Sequence, residues 1–171
     1  MTPLAARLSA YGDYHRDPRN VATHLVGIPL IVVAVGVLAS RPLLPLGDGL
    51  TLTPAMLIAL AASLYYLWLD RGFGIVMATL MALNVWLGLQ AARLDTPVWF
   101  GLGLGLFVVG WAFQFLGHHY EGRKPAFLDD LSGLIIGPLF VAAEVSVRLG
   151  LRRELKAALG GPPPRDSRVT T

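Results

Sequence analysis

Four apolar runs without a single Asp, Glu, Lys or Arg dominate this sequence: residues 21–39, 50–69, 72–92 and 97–117. Each is 19 to 21 residues long, and a helix needs about 20 residues to cross the hydrocarbon core of a bilayer. One such run can be the core helix of a soluble protein. Four of them in 171 residues leave too little polar chain to cover them in water. Charged residues make up only 15% of the chain, against about 25% in soluble domains. The expected fold is therefore all-α, a polytopic transmembrane helix bundle with four spans.

Local signals place the helices. Asp17-Pro18 reads as a helix start, because aspartate accepts from exposed N–H groups and proline has none to satisfy. The first helix is expected over 18–40, with Pro29 inside it. Helices over 54–69, 73–92 and from 97 past 117 follow, separated by short turns such as Asp70-Arg71-Gly72. The first twenty residues read as a polar lead-in, and residues 41–48 as a Pro- and Gly-rich turn. Residues 131–147 form a weaker apolar stretch that carries Gly133, Gly137, Pro138 and Glu144. Residues 149–159 have the pattern of a short amphipathic surface helix. One membrane-embedded domain over 1–150 is expected, followed by a basic, partly disordered tail over 151–171. No secretory leader precedes the first run, which is therefore expected to remain in the mature protein.

Basic residues set the orientation. Four crossings put Arg7, Arg16, Arg19, Arg71, Arg123 and Lys124 on one side and leave Arg41 and Arg93 on the other. The richer side is expected to be cytoplasmic. The tail carries six more cations, at 148, 152, 153, 156, 165 and 168, and prefers the same side. A full fifth crossing would strand it outside, so a broken or re-entrant last segment is favoured. The net charge of +3 is accordingly read as topology and attraction to anionic lipid, not as a nucleic-acid surface.

The chain has no cysteine, which excludes disulfides, thiolate nucleophiles and cysteine-held iron–sulfur clusters. Any metal must be held by nitrogen and oxygen. The four histidines are His15, His24, His118 and His119. Crossing parity brings all four to one membrane face, which is also the end where Asn20 and Glu121 fall. Trp111, Gln114, His118 and Glu121 form one helical stripe if the fourth helix continues that far, and Asn20, His24 and Gly27 form another on the first helix. Polar stripes are expensive against lipid and point inward, either to a site or to a neighbouring helix. Together they favour a metal site, for which imidazole suits iron and zinc. Glu144 is the one acid well inside an apolar stretch, and pairing with Arg148 one turn later is its alternative. Gly101, Gly103 and Gly105 lie inside an apolar helix and are expected to serve close helix packing, not nucleotide binding.

Two motifs carry a resemblance. Tyr14-His15-Arg16-Asp17-Pro18-Arg19-Asn20-Val21-Ala22-Thr23-His24, followed by Gly27 and Pro29, resembles the N-terminal signature of the endoplasmic-reticulum 2-hydroxy fatty acid dioxygenases and their bacterial relatives. Trp111-Ala112-Phe113-Gln114-Phe115-Leu116-Gly117-His118, with Glu121 and Arg123-Lys124-Pro125-Ala126, is similar to the second. Gly137-Pro138-Leu139-Phe140 with Glu144 is a weaker third. The resemblance covers residues 11–150. It implies an Fe(II)-dependent enzyme that uses O2 to shorten a 2-hydroxy fatty acid by one carbon, as in fatty acid α-oxidation. It puts His15, His24 and His118 among the motif histidines, with His119 adjoining them as a further metal-ligand candidate. Glu121 joins these histidines as a catalytic candidate. Asn20, Gln114 and Glu144 are expected to support the ligands, and Arg16, Arg19, Arg123 or Lys124 to hold the substrate carboxylate. The implied home is a bilayer, the inner membrane of a bacterium or the endoplasmic reticulum of a eukaryote. Two rivals remain. A di-iron lipid hydroxylase or desaturase would need about eight histidines, and a non-enzymatic scaffold or transporter would place its polar residues near the bilayer centre.

Overall fold

The computed structural model describes residues 2–47, 50–122 and 132–160. Among these it has six α-helices: α1 Pro3–Gly12, α2 Pro18–Leu38, α3 Pro54–Leu69, α4 Arg71–Ala91, α5 Thr96–Glu121 and α6 Gly133–Arg148. Each of α1 to α4 starts on a side-chain cap. The Asp17 carboxylate accepts from the Arg19 amide at 2.8 Å, and Asp70 accepts from the Phe73 amide at 2.8 Å. Asp70 alone separates α3 from α4, ending one helix and capping the next. Glycine at 122, with φ of 66°, stops α5 in the left-handed conformation that other residues avoid.

Three helices, α2, α4 and α5, are long and apolar enough to cross a membrane by length and composition. The fourth expected span is shorter. At 16 residues α3 reaches roughly 24 Å at about 1.5 Å per residue, against a core about 30 Å thick. The reason lies just before it: Leu50–Leu52 forms a strand, β2, pairing antiparallel with β1, Leu44–Gly47, and Pro54 opens the helix only after that hairpin. Apolar side chains such as Leu64 and Val108 point outward from mid-helix, 59% and 57% exposed, as lipid-facing residues do.

Helices α2 to α5 run alternately up and down between two ends. At one end Arg41 ties the loops together, donating to the carbonyls of Ala92 and Leu94 at 2.7 and 2.6 Å. Trp99 Nε1 donates to the Val37 carbonyl there at 2.8 Å. The other end carries the histidines, Glu121, Asp70 and α6. The α2–α5 interface is the most extensive between helices in the bundle. A Cβ at Gly110 would lie 2.9 Å from the Gly27 carbonyl, so the backbones touch where those glycines meet. Of the expected packing glycines only Gly103 is used, against Leu38; nothing lies within 4 Å of where a Cβ of Gly101 or Gly105 would be.

Two segments differ from expectation. The polar lead-in contains α1, capped by Thr2, whose hydroxyl accepts from the Ala5 amide at 3.2 Å. Leu4 and Leu8, four residues apart, are buried against the bundle. Residues 149–159 form no amphipathic helix beyond a 3-10 turn at Arg153–Leu155. Gly150 and Gly160, with φ of 76° and 83°, break the chain on either side, and Leu155 and Leu159 tuck into the core. Helix α6 begins and ends at the histidine end. Tyr66 in the last turn of α3 donates to the Ile135 carbonyl at 2.7 Å, and Arg152 just beyond α6 reaches Asp70 at 3.4 Å. Both tethers hold α6 to the same end of the α3–α4 hairpin. The tail over 161–171, expected to be disordered, lies outside the described residues.

Candidate metal centre

Three elements deliver three histidines to one point. His15 follows α1, His24 sits two turns into α2, and His118 lies in the last turn of α5. All three are buried, at 2%, 1% and 6% exposure. One ring nitrogen from each lies within 4.8 Å of the others. The rings meet edge to face, with centroids 4.5 to 5.2 Å apart.

Hydrogen bonding decides which nitrogens are free. His15 Nδ1 lies 2.7 Å from the Tyr11 carbonyl and His24 Nδ1 lies 2.9 Å from the Asn20 carbonyl. A carbonyl only accepts, so each Nδ1 carries its hydrogen and, in a neutral ring, each Nε2 is bare. These two bare nitrogens face each other at 3.1 Å. Lone pair against lone pair is repulsive unless a cation sits beside both. A proton is the poorer candidate, because burial pushes the His15 imidazolium down to about 4. A metal ion suits the spacing: bonds of about 2.1 Å place neighbouring ligand nitrogens roughly 3 Å apart. His118 Nδ1 is buried with no hydrogen-bond partner among the described residues, and the ring lies beside the pair.

Glu121, expected among the catalytic groups, stands one step back. Its carboxylate accepts from the amides of Arg16 and Asp17 at 3.1 and 2.9 Å and from Asn20 Nδ2 at 2.9 Å. It thus caps the start of α2 from the end of α5 and fixes the loop that carries His15. Asn20 links that carboxylate to His24, since its carbonyl orients the imidazole. Gln114 is buried with its Nε2 unpartnered and lines the cleft beside His24 and His118.

Other expected residues are not drawn in. His119 is exposed, turned about 100° around α5 from His118, and belongs to no cluster among the described residues. Glu144 pairs with Arg148 at 3.2 Å. Arg16 pairs with Asp13 at 2.7 Å and Arg19 with Asp17 at 2.8 Å, both with exposed side chains, and neither lines the cleft. Arg123 and Lys124 lie outside the described residues.

Tyr11 is a site residue that the sequence did not single out. Its ring stacks on His15, 4.2 Å apart and 9° from parallel, and it lines the cleft with His24 and His118. Burial pushes its phenol upward, so it stays a hydroxyl donor. The signal was its place four residues before His15, where a helix end stacks side chains. The Gly137-Pro138 pair of α6 forms the opposite wall, and Phe140, fully buried, packs on both Tyr11 and His15.

Three buried imidazoles at one end of a bundle with long apolar helices form a group that could hold a metal ion beside an apolar cleft. Comparison with known proteins gives the family. The family described as 2-hydroxy-palmitic acid dioxygenase Mpo1-like matches residues 1–149, and the chain belongs to it. A relative from Saccharomyces cerevisiae, the 2-hydroxy-palmitic acid dioxygenase MPO1, is 32% identical over 158 residues, covering 91% of this chain and 87% of its own. No solved structure matches the chain.

Proposed function

We propose that this protein is an integral-membrane, iron(II)-dependent dioxygenase that cleaves 2-hydroxy fatty acids to acids one carbon shorter. The observation that carries the reading is the pair of bare Nε2 atoms of His15 and His24, 3.1 Å apart with His118 beside them. Family membership and the name of the yeast relative supply the substrate class. His15, His24 and His118 would hold the ion. When bound, ferrous iron supplies open positions at which O2 and the hydroxyl and carboxylate of the substrate meet.

The remaining work falls to the chain. Tyr11 and Asn20 fix the two imidazoles in the tautomer that leaves Nε2 free. The phenol of Tyr11 is placed to donate to a substrate oxygen in the cleft. Phe140, Gly137 and Pro138 keep water from the reacting carbons. Breaking the C1–C2 bond with one O2 balances as the shorter fatty acid, carbon dioxide and water, with no external reductant. The bundle crosses the bilayer with its histidine end in the cytoplasm, as the distribution of Arg and Lys favours.

Protein purified in detergent tests the reading. About one iron per chain is expected, with one O2 consumed per shortened acid. Two irons per chain would favour the di-iron rival. An iron-loaded protein that leaves 2-hydroxy acids intact would favour a scaffold.

A further inference from the structure

A second, larger space adjoins the histidine cleft. A groove of about 660 Å3 lies between α2, α4 and α6, and its lining is almost wholly apolar. Ile28, Val32 and Pro138 line both spaces, so the two adjoin across these three side chains. From there the groove follows α6 past Val141 and Val145 and α4 back toward Phe73. At that end Arg152 lies over the Phe73 ring, 4.9 Å from its centroid, and pairs with Asp70 at 3.4 Å. The groove therefore runs from the cleft-wall residues Ile28, Val32 and Pro138 to a foot at Phe73 and Arg152.

We propose that the groove is the acyl-chain channel and that its Phe73–Arg152 foot sets the chain length accepted. This rests on the function proposed above, and the occupant is one chain of a 2-hydroxy fatty acid. Adjacency to the histidine cleft is the first argument. A chelating head group at the ion would send its alkyl chain toward apolar surface, and this groove offers the larger one beside the cleft, while the rim above carries the paired residues Arg16, Asp13, Arg19 and Asp17. Capacity is the second. At roughly 30 Å3 per water-sized group, 660 Å3 has room for a long-chain acid. Burial of each methylene is worth about 0.8 kcal/mol against water, which gives the foot leverage over length.

The test uses the intact protein in detergent and a 2-hydroxy fatty acid with a diazirine at its methyl end. Illumination is expected to label residues near Phe73, Val145 and Leu149, and unlabelled 2-hydroxy acid should compete. Labelling that phospholipid displaces equally well would make the groove a lipid seat, and labelling across two chains would make it an interface; either overturns the proposal. Val145→Trp provides the second reading. Its side chain is 43% exposed, so a larger one can be accommodated without breaking the core. Turnover of the longest acids should fall about tenfold or more while short ones are spared. An unchanged length profile overturns the proposal. Because labelling needs no turnover, foot labelling without a shortened product would sink the proposed reaction and keep the channel. Shortened product with labelling elsewhere would sink the channel alone.

Discussion

Asn20 donates its side-chain amide to Glu121 at 2.9 Å, and through that contact the start of α2 is held to the last residue of α5. The two residues are 101 positions apart, yet each lies within one turn of a clustered histidine. The same Asn20 uses its carbonyl to orient His24. Helix capping and the placement of His15 and His24 are therefore one network, held by a carboxylate that lies outside the histidine cluster.

Glu121→Ala removes the carboxylate that accepts from two loop amides and from Asn20. Losing such a partner costs about 1 to 3 kcal/mol, read as a lower melting temperature in detergent. Metal affinity should fall about 10- to 100-fold, and Glu121→Gln, which keeps one acceptor oxygen, should recover part of it. An alanine variant that binds the metal as tightly as the parent would show that the clamp does not position the ligands.

Histidine replacements separate ligands from bystanders. His24→Ala or His118→Ala should lose most of the bound metal and all turnover, since a site with two of three imidazoles holds an ion weakly. His119→Ala should keep both, because that ring is exposed and outside the cluster. Metal content and product formation, measured on folded protein, check this. Equal losses at positions 118 and 119 would contradict the geometry.

Much of this end of the molecule was legible from the chain. Crossing parity and the helical stripes bring His24, His118, Asn20 and Gln114 together because both rest on the period of a helix and the thickness of a bilayer. What could not be read needed tertiary contacts. Glu121 falls on the His118 stripe in the sequence, but that it caps the start of α2 shows only once the loop from α1 folds over it. For Glu144 the sequence left two readings open, and the structure has the pairing with Arg148 one turn later. Thr2, Pro3, Leu4 and Leu8 together carry a cap and an apolar i, i+4 pair. The weight of Arg7 and Arg16 hides that short helix in a composition window.

Acid should destabilise the metal-free protein. The folded-state value of His15 is about 4, below its ordinary 6.5. Above 6.5 the ring is neutral folded or unfolded. As pH falls below 6.5 the unfolded chain takes up a proton that the buried ring refuses, until the folded value near 4 is reached. Across that window each pH unit costs about 1.4 kcal/mol for this group. Melting temperatures recorded between pH 7 and 4 should fall, and less steeply in His15→Gln. A flat profile for the parent would mean that His15 is not buried in neutral form.

Glycine positions give the sharpest test of the α2–α5 contact. A Cβ at Gly117 would collide with Thr23 Oγ1 and Asn20 Oδ1 and come within 3.1 Å of His24 Nδ1. Both collision partners lie on α2, whose backbone is already in contact with α5 at Gly27 and Gly110. Either Thr23 and Asn20 rotate away, which breaks the Asn20 contact to Glu121, or α5 moves outward and carries His118 away from His24. Gly117→Ala should therefore cost about 1 to 3 kcal/mol as overpacking and lower metal affinity more than any loss of stability explains. Gly101 and Gly105 sit in the same helix with open space where the Cβ would be. There alanine should be neutral, or stabilising by up to about 1 kcal/mol through its higher helix propensity, with metal binding unchanged. Melting temperature and metal titration on the three variants, side by side, read the contrast directly. If Gly117→Ala binds metal like Gly105→Ala, the histidines do not depend on the close approach of these two helices.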